Sequence, residues 1–307
     1  MCATRAAVSS APAVVNRAAA LTELLRVGAS PPADDDLVEW IEGFDLMDDA
    51  PVWVPLDAVT LGEAASQARY WQSTDGLASG NVLWEAAFHG LCERVERDAL
   101  TLWSLAGDAE VGERCRDPRD FGDPALVALA AKIDAAGLRL RLFDISTDVA
   151  VPVCFATISP PSDSDPAHWR HFDLQSGSGC HPNPARAAIR AVTEAAQSRL
   201  TAISGARDDF DPSDYRARIA IDLLPFVRAE PAAGAPAAAA VEPADYIGHI
   251  AQRLRAVGVG SAIIAPLESG ERGFAVAKAL VADLETVPGA RRFPLGPRAL
   301  RAKLRRQ

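Results

Sequence analysis

Two short acidic patterns in this chain have the residue types and the spacing of a metal site. Glu93 and Glu96 lie three residues apart in "EAAFHGLCERVE", and Glu194 and Gln197 have the same separation in "RAAIRAVTEAAQ". Residues three apart share a face of a helix. Clustered carboxylates repel one another unless protons or a cation intervene, and Mg²⁺ prefers such oxygen ligands and usually binds with substrate phosphates. The patterns therefore predict a magnesium site if the two helices face each other.

The two segments are also copies of one pattern. When residues 85–96 are aligned with residues 186–197, Glu93 falls opposite Glu194, alanines and larger apolar residues coincide, and each copy follows a glycine-containing stretch. A Glu-x-x-Glu pair is common on solvated helix faces, so an exposed charge run is the alternative interpretation. The repetition favours paired helices with a shared function.

The glycine-rich segment "SGSGCHP" before the second copy does not match the common phosphate-binding motifs. A Walker-type loop needs a lysine, which is absent here, and a dinucleotide fingerprint needs a third glycine where Pro182 stands. We expect a glycine turn in this segment, as in "DGLASGN" before the first copy. Arg199, five residues beyond Glu194, could reach a phosphate oxygen.

The composition is that of a globular protein with an acidic balance. The chain has 307 residues, of which 49% are hydrophobic and 23% charged, and its formal net charge is −10. Such a charge disfavours nucleic acid as a partner, because the phosphates are repelled. No apolar run is long enough for a transmembrane helix, and the five cysteines form no close pair. We therefore expect a cytoplasmic protein with no nucleic-acid or membrane partner.

Periodicity and capping signals predict an α+β chain. The segment "NVLWEAAFHGLCERVERDALTLW" has apolar residues at helical spacing. Asp123 and Pro124 start a second helix that Gly137 ends, and "YIGHIAQRLRAVG" repeats this plan near the end of the chain. Strands are predicted at "LRLRLFDI" and "VPVCFATIS", and a hairpin within residues 31–59. Helices are expected to cover one side of the sheets.

Two long motifs carry a family resemblance. The segments "TDGLASGNVLWEAAFHGLCERVERDALTLW" and "GSGCHPNPARAAIRAVTEAAQSRLTAISGARDDF" occur in this order, and the similarity runs from about Trp40 to about Tyr215 and more weakly to the end. In these motifs the chain resembles the YcaO family. The resemblance implies an α+β, YcaO-like fold of mixed sheets flanked by helices, with internal pseudo-repeats.

The resemblance also implies an ATP-dependent reaction on a peptide. In the family, the oxygen of a backbone amide attacks the γ-phosphate of ATP. An azoline results when a neighbouring Cys, Ser or Thr side chain has added, and a thioamide results when external sulfide adds. The C-terminus "PLGPRALRAKLRRQ" lacks the proline-rich tail of some azoline-forming members, which leaves thioamidation open. ATP and Mg²⁺ are the implied cofactors.

Six residues take up site positions by this resemblance, whereas no catalytic residue is assigned. The implied metal ligands are Glu93, Glu96 and Glu194, and the implied ATP contacts are Asn81, Gln197 and Arg199. The glycines around Asn81, and those of "SGSGCHP", would lie near phosphates or substrate.

One departure from the family pattern concerns the start of the chain. Members carry an upstream "S.GKG" loop and a helix of the form Ser-x-x-x-Glu-x-x-Glu, and neither occurs before Trp40, where the chain has no lysine. We therefore expect an N-terminally truncated core with an incomplete ATP site. The alternative function is that of a catalytically inactive scaffold or peptide-binding protein.

Composition suggests how the chain is divided. We expect a disordered or mis-set leader at 1–30, a YcaO-like core at 31–228, an Ala/Pro linker at 229–245, and a C-terminal helix-strand unit with a basic tail at 246–307. The partners implied by the resemblance are a precursor peptide, a TfuA-like or leader-peptide-binding protein, and a second copy in a homodimer.

Overall fold

The structure of the protein is a computed structural model that describes most of the chain. Its described residues are 1–5, 7, 17–19, 21–62, 69–161, 168–205, 208, 211–232, 234, 245–269, 273–286 and 295–305. The chain forms two compact units. Unit 1 comprises Met1–Asp98 with Asp245–Leu300, and unit 2 comprises Ala99–Ala244 with Arg301–Gln307. The predicted leader and linker lie partly outside the described residues, and the four-part division stays a prediction.

Unit 1 contains an antiparallel sheet. Its described strands are β1 (Cys2–Thr4), β2 (Leu37–Asp45), β3 (Ala50–Pro55), β4 (Leu77–Gly80), β9 (Ile263–Ser269) and β10 (Ala275–Leu280). They follow the order β1-β2-β9-β10-β4, and β3 pairs with β2 as the predicted hairpin, with Trp40 opposite Pro55. Helix α1 (Leu83–Trp103) begins in this unit, and α6 (Tyr246–Ala256) belongs to it.

Unit 2 contains a second antiparallel sheet with helices packed against it. Its described strands β5 (Cys115–Arg116), β6 (Arg139–Asp144), β7 (Val153–Ser159) and β8 (Gln175–Cys180) are paired in chain order. The helices are α2 (Asp108–Arg114), α3 (Pro124–Ala135), α4 (Pro184–Ser204) and α5 (Leu224–Arg228), and α7 (Pro297–Arg305) ends the described chain. None of the helices described in either unit is long and apolar enough to cross a membrane.

The local signals place the helices as predicted. The Asp123 carboxylate accepts the backbone N–H groups of Ala125 and Leu126, and Pro124 is the first residue of α3. Gly137, with a φ of +72°, follows the helix end. The left-handed conformation favours glycine there because a Cβ would be strained. The predicted helices, strands and hairpin are thus confirmed, and so is the α+β class.

The glycines of "SGSGCHP" correct one expectation. Gly177 and Gly179 lie in strand β8 and not in a turn. A Cβ on Gly177 would collide with the backbone of α4 at Ala191 and Ala195, and one on Gly179 would collide with it at Ala187. Residues two apart share a face of a strand, so the two glycines form a smooth surface on which the alanine-rich face of α4 packs.

Unit 1 repeats this close packing of strand and helix. A Cβ on Gly80, at the end of β4, would lie 2.7 Å from the backbone nitrogen of Ala86. One on Gly90 would lie 2.5 Å from the carbonyl oxygen of Gly76. Each unit therefore contains a glycine-bearing strand, a short turn and a long helix that lies against the strand. This is the internal pseudo-repeat that the sequence predicts.

Candidate active site

Three carboxylates project from one side of α1 in unit 1. Relative to Glu85, a helix of about 100° per residue places Glu96 about 20° and Glu93 about 80° around the axis. Glu96 is 8% exposed, whereas Glu85 and Glu93 are half-buried. Sequence analysis identified Glu93 and Glu96 and missed Glu85. The signal that could have found Glu85 is its spacing of eleven residues from Glu96, which returns it to within about 20° of the same angle around the helix.

Backbone and side-chain contacts orient Glu93. One of its oxygens accepts the N–H of Gly76 at 3.1 Å, and the other lies 3.2 Å from a guanidinium nitrogen of Arg97. Arg97 also contacts Asp75, with its Nε 3.5 Å from a carboxylate oxygen. Because Gly76 has a φ of +77° and precedes β4, the turn itself directs the N–H towards α1. Glu93 is therefore held in a defined position next to the glycine turn.

Asn81 orients Glu85 at the start of the same helix. Its backbone N–H and side-chain amide both donate to one oxygen of Glu85, at 2.8 and 2.9 Å. The backbone hydrogen bond, followed by the side-chain one, lowers the pKa of Glu85 below its ordinary value. Asn81, which the sequence predicts as an ATP contact, thus lies beside Glu85, and the two hydrogen bonds that Asn81 donates favour the ionised form of that carboxylate.

A buried lysine adds positive charge to this part of unit 1. Lys278, in the interior of β10, is 3% exposed, and its Nζ donates to the carbonyl oxygen of Ser73 at 2.6 Å. Burial lowers the pKa of Lys278 to about 8, since it outweighs the attraction of Asp75 and Glu93. With Asp75 and Arg94, Lys278 lines a cavity of about 30 Å³. Sequence analysis missed this lysine because "AVAKAL" has the pattern of a buried strand.

Unit 2 places Glu194 in the position equivalent to Glu93. An oxygen of Glu194 accepts the N–H of Ser178 at 2.9 Å and lies 3.4 Å from the Ser178 hydroxyl oxygen. In both copies a glutamate on the long helix therefore accepts a backbone N–H from the glycine-bearing segment before the helix. The sequence alignment of Glu93 with Glu194 corresponds to the same local contact in the two units.

The remaining predicted ATP contacts lie further along α4. Gln197 is exposed one turn beyond Glu194. Arg199 lies about 140° around the helix from Glu194 at about 100° per residue, and it lines an apolar groove with Lys132 of α3. Glu194 and Arg199 thus occupy different faces of α4. The assignments of both residues stay predictions.

The donor types on α1 fit Mg²⁺, one of the two cofactors that the sequence resemblance implies. Carboxylate oxygens are the ligands that Mg²⁺ prefers, and Glu85, Glu93 and Glu96 supply them from one helix face. Among all the residues that the structure describes, no group of three or more His, Cys, Asp or Glu side chains is arranged to hold a metal ion. The predicted ligands are divided between the units, with Glu93 and Glu96 in unit 1 and Glu194 in unit 2.

Known proteins resemble this chain in sequence over most of its length. An uncharacterized protein in the tfuA 3′ region of Rhizobium leguminosarum bv. trifolii is 38% identical over 274 residues, which cover 86% of this chain and 64% of that protein. An uncharacterized protein of Methanothermobacter thermautotrophicus is 35% identical over 199 residues, 63% of this chain and 50% of that protein. The chain thus spans between half and two thirds of the length of these two relatives.

Solved structures resemble the fold. The heterocyclase TruD has a TM-score of 0.64 with 19% identity, and the match covers 88% of this chain and 40% of that chain. The structure of YcaO from Methanopyrus kandleri bound with AMPPCP and Mg²⁺ has a TM-score of 0.60 with 22% identity, covering 80% of this chain and 64% of that chain. These similarities confirm the predicted fold.

A family model identifies the domain. The model of the YcaO cyclodehydratase domain, which binds ATP and Mg²⁺, matches residues 4–285. The match begins well before Trp40, where the quoted resemblance starts, and it includes both glycine-bearing strands and both long helices. The sequence match and the fold agree, and the chain belongs to the YcaO family.

Proposed function

We propose that this chain takes part in the ATP-dependent activation of backbone amides in a precursor peptide. The products are azolines or thioamides, and the setting is the modification of ribosomally made peptides. The observation that carries the proposal is the set of oriented carboxylates on one face of α1, in a domain whose family binds ATP and Mg²⁺.

We propose the predicted site residues, with one addition, as those that would hold the cofactors. Glu93, Glu96 and Glu194 would bind magnesium, with Glu85 as an additional carboxylate donor from α1. Asn81 and Gln197 would contact ATP. The resemblance implies the same contact for Arg199, which lies on a different face of α4 from Glu194. When bound, the magnesium nucleotide supplies an electrophilic phosphorus and a neutralised phosphate chain, which a weakly nucleophilic amide oxygen requires.

The chain's own groups keep this site ready for a cation. The N–H of Gly76 directs one oxygen of Glu93, and Asn81 directs Glu85, so both carboxylates are oriented before any ligand binds. Arg97 neutralises part of the charge of Glu93, and a bound metal ion would take its place. Oriented charges need little reorganisation during a reaction, which is the main source of electrostatic catalysis.

An inactive peptide-binding scaffold is the second candidate. It is favoured by the ion pair of Glu93 with Arg97, which a magnesium ion would have to displace. The position of the R. leguminosarum relative in a tfuA 3′ region supports a TfuA-like protein as partner for either candidate. A homodimer and a cytoplasmic location are also part of the proposal.

Magnesium-dependent ATP turnover by the purified chain separates the two candidates. We expect release of ADP and phosphate that falls at least tenfold in Glu93→Gln, because the amide keeps the shape but loses the charge. Glu113→Gln is the matched control, since Glu113 is exposed on α2. ATP turnover that Glu93→Gln leaves intact would refute the site, and no turnover or MgATP binding at all would favour the scaffold.

A further inference from the structure

An apolar groove crosses the surface of unit 2 between α3 and α4. Its volume is about 260 Å³. The floor is formed by Ile158 of β7 and Val192 of α4, both of which belong to the hydrophobic core of the unit. Leu129 and Ile133 of α3 form one wall and are only partly buried. The groove therefore leaves part of the core edge open to solvent.

Two cationic side chains, Lys132 and Arg199, line this groove. Lys132 of α3 is exposed and Arg199 of α4 is half-buried, and both line the groove. Neither makes an ion pair or a side-chain hydrogen bond with another residue that the structure describes. In a chain with a net charge of −10, two cations that have no ion-pair partner among the described residues, and that lie beside apolar side chains, form a local site for an acidic, amphipathic ligand.

We propose that this groove binds an unmodified segment of the precursor peptide, in which apolar side chains are flanked by carboxylates. The inference rests on the proposed function, because that function requires a peptide substrate. Apolar residues of the segment would fill the groove, and its carboxylates would pair with Lys132 and Arg199. Binding energy from a part of the substrate remote from the reacting amide positions that amide for reaction.

This assignment gives Arg199 a different role from the predicted ATP contact. On α4, Arg190 lies nine residues before Arg199 and thus about 180° around the helix at about 100° per residue. Arg190 is exposed and lies outside the groove. Substituting glutamate for Arg190 therefore provides a control that makes the same charge change as Arg199→Glu on the opposite face of α4.

The test measures binding of a labelled synthetic peptide with leucines on one helical face and glutamates beside them, by fluorescence anisotropy at physiological salt. We expect Arg199→Glu to weaken the Kd at least tenfold and Arg190→Glu to change it less than twofold. Ala196→Trp, which fills the groove without changing charge, should also weaken binding at least tenfold. A peptide with lysines in place of the glutamates should bind at least tenfold more weakly.

Three results would overturn the inference. The first is an unchanged Kd in both Arg199→Glu and Ala196→Trp, with folding checked by circular dichroism. The second is equal binding of the glutamate and lysine peptides. The third is loss of a dimer on Arg199→Glu in sedimentation, which would assign the groove to a second copy of the chain. Because ATP turnover is measured separately with Glu93→Gln, failure of the groove and failure of the proposed function are distinguishable.

Discussion

Asn81 and Glu85 form the most local contact of the candidate site. Two donors from one asparagine hold one carboxylate oxygen of the glutamate. Since the backbone donor remains after substitution, Asn81→Ala should raise the pKa of Glu85 only part of the way to its ordinary value. The carboxyl ¹³C shift of Glu85, followed by NMR against pH, measures this.

The Asn81→Ala substitution should leave the pKa values of other carboxyl groups unchanged. Glu113, which is exposed on α2 and belongs to unit 2, serves as the internal control in the same titration. An unchanged pKa of Glu85 in Asn81→Ala would show that the side-chain amide does not orient the carboxylate.

Burial of Lys278 makes the free energy of unfolding depend on pH. An unfolded lysine keeps its proton up to about pH 10.4, whereas burial lowers the pKa of Lys278 to about 8. The unfolded state therefore binds more protons between these values, and stability rises with pH across that window. The free energy of unfolding of the native chain, relative to Lys278→Met, should rise by up to about 3 kcal/mol from pH 7 to pH 10.5.

Urea unfolding at several pH values measures the difference between the two proteins. Lys303→Met is the matched control, since Lys303 is exposed on α7, and its difference from the native chain should stay constant with pH. A pH-independent difference for Lys278→Met would mean that the buried lysine keeps an ordinary pKa.

At the scale of elements, the packing of α4 on β8 depends on the absence of a side chain at Gly177. Its Cβ would overlap the backbone at Ala191 and Ala195, and backbone cannot move aside as a flexible side chain can. Gly177→Ala should therefore lower the free energy of unfolding by about 1–3 kcal/mol or more, the usual cost of overpacking. Thermal unfolding followed by circular dichroism measures this loss.

Gly112 provides the comparison within the same unit. It lies in α2, and a Cβ there would meet no heavy atom within 4 Å. Alanine is a better helix former than glycine by up to about 1 kcal/mol, so Gly112→Ala should be neutral or stabilising. Similar destabilisation by both substitutions would mean that close packing is not the reason for Gly177.

Elements with a strong periodic signal were predictable from the sequence, whereas the glycine-bearing strand was not. Helix α3 has both its N-cap Asp123 and its C-terminal Gly137 in the sequence. The sequence around Gly177 and Gly179 predicts a turn because glycine is common in turns. Their actual role depends on an approaching helix, and only their separation by two residues indicates a strand.

The candidate site was predictable to a similar extent. The repeat identified Glu93 and Glu194, and both accept a backbone N–H in the same way in their own unit. Lys278 could not be found, because an isolated lysine in an apolar strand carries no motif. Glu194 and Arg199 lie on different faces of α4 because five residues correspond to about 140° around a helix. A motif match compares residue types in order and does not include this angle.

At the scale of the whole molecule, the negative net charge and the apolar groove both restrict which acidic peptides bind. A net charge of −10 repels acidic peptides in general, so Lys132 and Arg199 would select those that also bury apolar side chains. Raising the salt concentration should therefore weaken the binding of the glutamate peptide only moderately, because the apolar contribution is not screened.

The salt dependence of the peptide Kd measures the balance between charge and apolar contact. We expect a loss of less than tenfold between 0.05 and 0.5 M salt, about the range over which the Debye length shortens from above 10 Å to below 5 Å. A much steeper loss would indicate binding by charge alone, without the groove.

The central proposal is that the predicted ligands Glu93 and Glu194 are each required for binding of MgATP. Calorimetry of MgATP binding to Glu93→Gln and Glu194→Gln, with Glu113→Gln as the control, tests it most directly. We expect each glutamine variant at the predicted ligands to bind at least tenfold more weakly than the native chain, and the control to bind within about twofold of it. An unchanged affinity in Glu93→Gln or Glu194→Gln would contradict the assignment of that residue.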